Sequence, residues 1–227
     1  MKKISRILLL LIAVLMVASC KDKKEEESKL EKTPQVLEIL NQTDDGEITE
    51  GILEGYKFVE TDEVTSKVKI QMENGDVMLI VLSNSKTPIT IENFQNLVKE
   101  KFYDGVIFHR VVVGFVIQAG GFTSEGMKEP TPNIKGEFQA NNVNNTMSHK
   151  RGVLSMARAT DYNSASSQFF ICHQDATGLD GAYASFGKVF AGMDAVDTIA
   201  NTETSKEKPL VDHKIKSIRF IKVEEAN

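Results

Sequence analysis

The sequence predicts a mainly β domain, a closed antiparallel barrel of about eight strands with a helix at each opening. Three observations carry that expectation. Short runs rich in β-branched and aromatic residues recur between turn signals from Val64 to Val223. Only two stretches there, one opening at Thr87-Pro88 and one spanning Met193 to Ala200, carry apolar residues at helical spacing. No strand–helix–strand repeat links the runs, which argues against a parallel sheet, and closure into a barrel leaves no exposed edge.

The elements follow in order. Val68, Ile70 and Met72 alternate ahead of Asn74-Gly75, and Val77-Met78-Leu79-Ile80-Val81-Leu82 follows it. Two apolar strands about an Asn-Gly pair form a hairpin. Thr87 is placed to cap the next helix, with Pro88 at its first position. Ile91, Phe94, Leu97, Val98 and Phe102 make its apolar stripe, and Tyr103-Asp104-Gly105 ends it. The run from Phe108 to Gly121 reads as strand, broken at Gly114. Alternation puts Phe108, Arg110 and Val112 on one side, and Val116 and Gln118 on a shared face beyond the break. An arginine in such a run either snorkels to water or presents a fixed cation to a ligand; the stretch alone leaves both open.

Residues 120 to 150 read mostly as loop. Strands follow at Val153 to Arg158, Gln168 to Cys172 and Ala184 to Phe190, with a polar loop at Thr160 to Ser167. In the second helix Met193, Val196, Ile199 and Ala200 face inward. Lys214 to Val223, with Ile215, Ser217, Ile218 and Phe220, closes the sheet. Phe115, Phe169 and Phe170 suit either core or pocket.

The ends of the chain carry no catalytic chemistry. Residues 1 to 19 form a signal peptide: Lys2, Lys3 and Arg6 precede an apolar run from Ile7 to Val17, then Ala18 and Ser19. Val17-Ala18-Ser19-Cys20 resembles a bacterial lipobox, which implies cleavage before Cys20 and acylation of it. Loss of three cations then moves the formal charge from −5 to −8. Residues 20 to 33 make a tether; from 21 to 32 it holds five lysines and five acids without apolar periodicity, and stays solvated. Residues 34 to 63 form an N-terminal extension in which Val36, Leu37, Ile39 and Leu40 suit a short amphipathic helical turn and Asp44-Asp45-Gly46 a loop. Residues 224 to 227 are a tail.

Composition and spacing exclude several functions. No basic stripe accompanies the net charge of −5, so no nucleic-acid partner is expected. His109, His149, His173 and His213 are too scattered for a metal cluster, and no cofactor motif is present. Ser155 lacks the flanking glycines of a nucleophile elbow. Only Cys20 and Cys172 exist; with Cys20 lipidated, Cys172 is a buried small hydrophobe.

Six segments, in order, resemble the signature stretches of cyclophilins. They are Phe108-His109-Arg110, Gly114-Phe115-Val116-Ile117-Gln118, Leu154-Ser155-Met156-Ala157-Arg158, Ser167-Gln168-Phe169-Phe170-Ile171, Leu179-Asp180-Gly181 and Phe186-Gly187-Lys188-Val189. The resemblance covers residues 64 to 223. It implies an eight-stranded barrel capped by two helices, and peptidyl-prolyl cis-trans isomerase activity on proline-containing polypeptides. It also implies Arg110 as the catalytic cation and a proline pocket of Phe115, Val116, Gln118, Phe170 and Leu179. Ala157, Arg158, Ala159 and Gln168 would take the adjoining peptide backbone, and Tyr183 stands where eukaryotic members carry histidine. Arg158 replaces an asparagine, and Val116 stands where methionine is common. Gly178 occupies a position where many members have tryptophan, and the chain has none, so weak cyclosporin binding is expected. Phe169 falls on the inward side and Phe170 at the pocket. The chain is expected to act as a monomer held by its lipid anchor in a bacterial cell envelope, at the outer membrane in preference to the inner. The rival expectation is a tethered proline-peptide binding module or chaperone without turnover.

Overall fold

The computed structural model describes residues 37–128 and 131–226. The signal peptide, Cys20 and the charged tether lie outside the described residues. The first described segment departs from the helical turn expected there. Leu37–Gln42 (β1), Ile48–Leu53 (β2) and Tyr56–Glu60 (β3) form an antiparallel meander, with Asp44-Asp45-Gly46 in the first turn. Apolar residues at 37, 39 and 40 satisfy a helical spacing and a strand edge equally well, and pairing decides between them. Ile48, Leu53 and Phe58 give the meander a buried face.

Lys67–Met72 (β4) and Val77–Leu82 (β5) form the expected hairpin across Asn74-Gly75. β5 is apolar throughout because both its faces are covered. Met78, Ile80 and Leu82 enter the main core, while Val77 and Leu79 pack against Ile48, Leu53 and Phe58 of the meander. Pro88–Lys99 (α1) follows and buries Phe94, Leu97 and Val98. Thr87 precedes Pro88 but does not cap the helix with its side chain; its hydroxyl donates to the Asn84 carbonyl. The Glu137 carboxylate does that work from a distant loop. It accepts from Ile89 N at 3.1 Å, Thr90 N at 2.7 Å and the Thr90 hydroxyl at 2.6 Å, where the helix dipole favours a negative charge.

Arg110–Val112 (β6) and Val116–Ala119 (β7) form a second hairpin, and Phe122–Thr123 (β8) with Gly126–Met127 (β9) a small third one inside the expected loop. Val153–Met156 (β10), Phe169–Cys172 (β11) and Ser185–Ala191 (β12) precede Met193–Ala200 (α2). Thr204–Ser205 (β13), Lys208–Pro209 (β14) and the long Ile215–Glu225 (β15) complete the chain.

Among the described residues eleven strands join in one sheet, in the order β1-β2-β3-β15-β4-β5-β12-β10-β11-β7-β6. No ladder among the described residues joins the two ends of this order, so the expected closed eight-stranded barrel is not what the ladders form. The segment ahead of β6 does approach the start of β15. Phe108 N donates to His213 O at 3.0 Å, Gly105 N to Ile215 O at 2.9 Å, and one isolated bridge pairs Ile107 with Lys214. That contact is too short and irregular to count as a ladder.

Inside the curve of the sheet lies the main core. Phe94 sits within 5.5 Å, centroid to centroid, of Tyr103, Phe169 and Phe186. Phe108 joins them in the core, so the expectation that it shares a face with Arg110 fails. The regular strand begins only at Arg110. Between meander and main sheet lies a buried ion network. Lys69, 0% exposed, donates through Nζ to Glu60 at 2.5 Å, Glu47 at 2.9 Å, Ile48 O at 2.5 Å and Gln71 at 3.1 Å. Gln71 in turn accepts from Ile48 N and donates to Gly46 O.

Candidate active site

Residues directly opposite in an antiparallel ladder project to the same face. Arg110 lies opposite Gln118, Gln118 opposite Phe170, and Phe170 opposite Ser155. One row of side chains thus crosses β6, β7, β11 and β10 on the face away from the main core. The neighbouring row, Val111, Ile117, Ile171 and Leu154, points the other way and is entirely buried in that core. Alternation therefore resolves adjacent Phe169 and Phe170: Phe169 belongs to the core, and Phe170 to a separate cluster with Val116, Val153, Cys172 and Ala176.

Over this row opens a cavity of about 290 Å3. Arg110, Gln118 and Phe170 line it from the strands, with Phe115 and Val116 from the β6–β7 turn and its exit. Ala157 and Arg158 line it from the end of β10, and Leu179 and Tyr183 from the loop before β12. A second cavity of about 300 Å3 adjoins it and shares Gln118, Ala157 and Arg158; Ala159 and Gln168 line that one, together with Ser164 and Ser166. The eleven residues singled out from the sequence are all brought to these two cavities, nine in the first and two in the second alone. Gly178 stands beside Leu179 on a short helical turn, and a Cβ there would meet nothing within 4 Å.

Each wall is held by identifiable contacts. Gln118 donates to Gln168 at 2.9 Å, joining the two cavities rather than reaching Arg110. The Gly114–Phe115 turn is fastened by His173, whose Nδ1 accepts from Gly114 N at 2.9 Å and whose backbone N donates to Phe115 O at 2.9 Å. Asp197 of α2 lies 3.3 Å from His173 Nε2 and receives a bidentate pair from Arg151 at 2.7 and 2.9 Å. Gly120 follows β7 with φ +100°, and a Cβ there would fall 2.4 Å from Ser167 O. A left-handed, side-chain-free residue is needed where the two cavity-lining strands part.

Arg158 is the most heavily engaged of the lining residues. Its guanidinium lies 4.7 to 5.2 Å from the rings of Tyr183, Tyr162 and Phe138 and donates to the carbonyls of Ala182, Ala159 and Thr160. Stacked cations of this kind are rigid. Arg110 is freer, at 36% side-chain exposure. Its Nε donates to Glu207 at 2.7 Å.

Behind Phe170 lies a Ser–His–Asp arrangement. His149 Nδ1 is 2.8 Å from Asp180 Oδ1 and its Nε2 is 3.0 Å from Ser155 Oγ, while its ring stacks on Phe170 at 5.9 Å. These are the distances of a hydrolytic triad, yet Ser155 and His149 are both 0% exposed, so no substrate carbonyl can reach the hydroxyl. The arrangement instead braces the pocket, tying Asp180, next to Leu179, to Ser155, opposite Phe170. Burial pushes His149 below its ordinary pKa, against the pull of Asp180. Partial desolvation opposes ionisation of Asp180, but hydrogen bonds from Ser148 and His149 hold its carboxyl below the usual range. Cys172 is no nucleophile either; burial pushes its thiol up to about 12.

Sequence reasoning missed Glu207, Glu137 and the bracing role of His149 and His173. Only the two histidines left a signal, as polar residues flanking apolar strand runs.

Residues 67–220 match the family described as cyclophilin type peptidyl-prolyl cis-trans isomerase/CLD. The chain is 47% identical over 132 residues to a peptidyl-prolyl cis-trans isomerase of Acinetobacter baylyi, covering 56% of this chain and 68% of the relative. It is 38% identical over 136 residues to peptidyl-prolyl cis-trans isomerase B of Bacillus subtilis, covering 60% of this chain and 92% of that one. Among solved structures, a cyclophilin type peptidyl-prolyl cis-trans isomerase of Cryptosporidium parvum, determined in the presence of the dipeptide Ala-Pro, is similar with a TM-score of 0.57 at 30% identity. That likeness covers 67% of this chain and 97% of that one. The chain belongs to the cyclophilin-type peptidyl-prolyl cis-trans isomerases. Its activity is the cis-trans isomerisation of peptidyl-prolyl bonds. The matched range begins at the first residue of β4 and stops at Phe220, where β15 changes partner from β4 to β3. The meander lies outside it.

Proposed function

We propose that Arg110 accelerates X-Pro rotation by stabilising the twisted prolyl amide, in a pocket that exported polypeptides enter. The single observation that carries this reading is the row Arg110, Gln118 and Phe170 beneath one cavity. Rotation of the bond is opposed by about 18–20 kcal/mol because resonance keeps the amide planar. Twisting frees the prolyl nitrogen lone pair to accept a hydrogen bond. A guanidinium that cannot lose its proton at working pH stabilises that state over either planar form. A thousandfold acceleration asks for about 4 kcal/mol of such preference, the size of a charge-assisted hydrogen bond with good positioning.

In this reading Phe115, Val116, Phe170 and Leu179 grip the pyrrolidine ring, and Gln118 guides the substrate. Ala157, Arg158, Ala159, Gln168 and Tyr183 take the flanking peptide. The Ala-Pro dipeptide present with the Cryptosporidium relative is consistent with a ligand of this kind. The open rim at Gly178 supports weak cyclosporin binding. Acylation of Cys20 would hold the enzyme, as a monomer, at a bacterial envelope membrane, where slow prolyl isomerisation limits newly exported chains.

Arg110→Ala is expected to stay folded and lose most turnover in exchange NMR on an Ala-Pro peptide. Near-normal turnover would remove the mechanism, and peptide binding by the wild type without accelerated exchange would favour a binding module. Cys20→Ser is expected to keep activity and leave the membrane fraction; retention in the membrane pellet would count against lipid anchoring.

A further inference from the structure

The β13–β14 hairpin contributes nothing to the two cavities, yet it reaches the residue on which the proposed chemistry turns. Its strands pair Thr204 with Pro209 and Ser205 with Lys208, leaving Lys206 and Glu207 as a two-residue turn. Both have positive φ, +50° and +68°. Such turns favour Asn-Gly, and a Lys-Glu pair held there is strained. The strain is maintained from outside the turn. Val111 N donates to Glu207 O at 2.8 Å, fastening the turn to β6, and Leu210 N donates to Glu203 O at 2.9 Å, closing the hairpin. One result is that Glu207 Oε2 lies 2.7 Å from Arg110 Nε.

We infer that Glu207 is a positioning residue for the isomerase reaction, acting through Arg110; this rests on the reading of Arg110 given above. The guanidinium is cationic with or without a partner, so a carboxylate beside it is not needed to keep it charged. What the contact supplies is orientation. With Nε bound to Glu207, rotation about the end of the side chain is restricted. No other hydrogen bond joins the Arg110 side chain to a described residue, and it lines the cavity, so its two terminal nitrogens are left for the prolyl amide. The other cation at the cavity, Arg158, is already committed to three carbonyls and three rings and cannot take over this role.

The test is exchange NMR on an Ala-Pro peptide with the full chain and the variants Glu207→Ala, Glu207→Gln, Arg110→Ala and the double Arg110→Ala/Glu207→Ala. For an ion pair this exposed, Glu207→Ala is expected to lower kcat about threefold with KM little changed. Glu207→Gln keeps an acceptor for Nε and is expected to recover most of that loss. In the Arg110→Ala background, removing Glu207 should have no further effect. The Arg110 Nε–H resonance, resolved and slowly exchanging in wild type and in Glu207→Gln, should move to the free-arginine position in Glu207→Ala.

An unchanged or raised kcat in Glu207→Ala overturns the inference, a rise marking the contact as a competitor of substrate. A loss equal in the Ala and Gln variants, tracking only a lower melting temperature, overturns it as merely structural. If Arg110→Ala itself keeps its turnover, the Arg110 reading fails and takes this inference with it. The resonance then still reports whether the contact exists.

Discussion

Lys69→Met removes a fully buried ammonium from the seam between the meander and the main sheet. The methionine keeps nearly the same volume, so packing is preserved while Glu47, Glu60, Ile48 O and Gln71 lose their donor. The two carboxylates differ in what remains to them. Desolvation opposes the charge on Glu47, but the Ser217 hydroxyl and Arg219 still serve it once Lys69 is gone. Glu60 keeps less: Arg219 attracts it, but among the described residues no side chain other than Lys69 donates a hydrogen bond to it. Burial already pushes its carboxyl up, and the attraction of Lys69 is the main force holding it down. Stranding a buried charge in this way costs about 3–5 kcal/mol. Protonation of Glu60 sets a ceiling, since neutralising an ordinary carboxyl at pH 7 costs about 4 kcal/mol. The expected loss is therefore about 3 kcal/mol, or a fall in melting temperature of about 6–12 °C for a chain of this size.

Urea unfolding of wild type and variant at pH 7 and pH 5 measures it. The loss should shrink at pH 5, where protonating Glu60 is easier, and Glu60→Gln in the Lys69→Met background should recover part of it. A loss below about 1 kcal/mol at pH 7, or one independent of pH, would show that Lys69 is hydrated and does not hold the two carboxylates in place. Isomerase turnover should be unaffected at temperatures where the variant is folded, because no member of the network lines either cavity and β5 and β12 stand between β4 and β10.

Two further outcomes are expected. Glu137→Ala strands the N–H groups of Ile89 and Thr90 at the start of α1 and should cost about 2 kcal/mol in urea unfolding, with Glu137→Gln intermediate; equal stability of all three would refute the capping role. His109, His149 and His213 are all held below their ordinary pKa by burial, so the unfolded chain binds more protons than the folded one. Stability should be full above about pH 6.5 and fall as pH drops from there toward the folded values; His149→Gln should flatten that fall as followed by thermal melts between pH 7 and pH 5.

How much of this was legible in the sequence depended on how local the deciding physics is. The row Arg110, Gln118 and Phe170 follows from two-residue periodicity once the order of strands is known, and Phe169 and Phe170 separate by the same rule. The Asn74-Gly75 hairpin and the helix at Met193–Ala200 are set by residues adjacent in sequence, and both appear as expected. Glu207 was illegible for the opposite reason. It meets Arg110 across 97 positions, from a turn that lacks the glycine which would have marked it. Glu137 reaches α1 from 47 residues away, where a nearby threonine offered a more obvious cap. Phe108 departs from the alternation because it lies two residues ahead of the first ladder partner, in backbone that is not a strand.

β15 is eleven residues long and serves two ladders in succession, β4 along Ile215–Phe220 and β3 along Ile221–Glu225. The five-residue overhang acts as a mechanical coupling between the enzyme and its N-terminal chain. A load entering at Leu37 must cross β2 and β3 before it reaches β15, and there it divides, through β4, β5 and β12 toward β10 and through the short contact at Ile107 and Lys214 toward β6. β1 meets it with a bulged, partly irregular register at Ile39 to Gln42, the ladder suited to open first. Tugging at the front of this protein would thus fray β1 while Arg110, Gln118 and Phe170 keep their row.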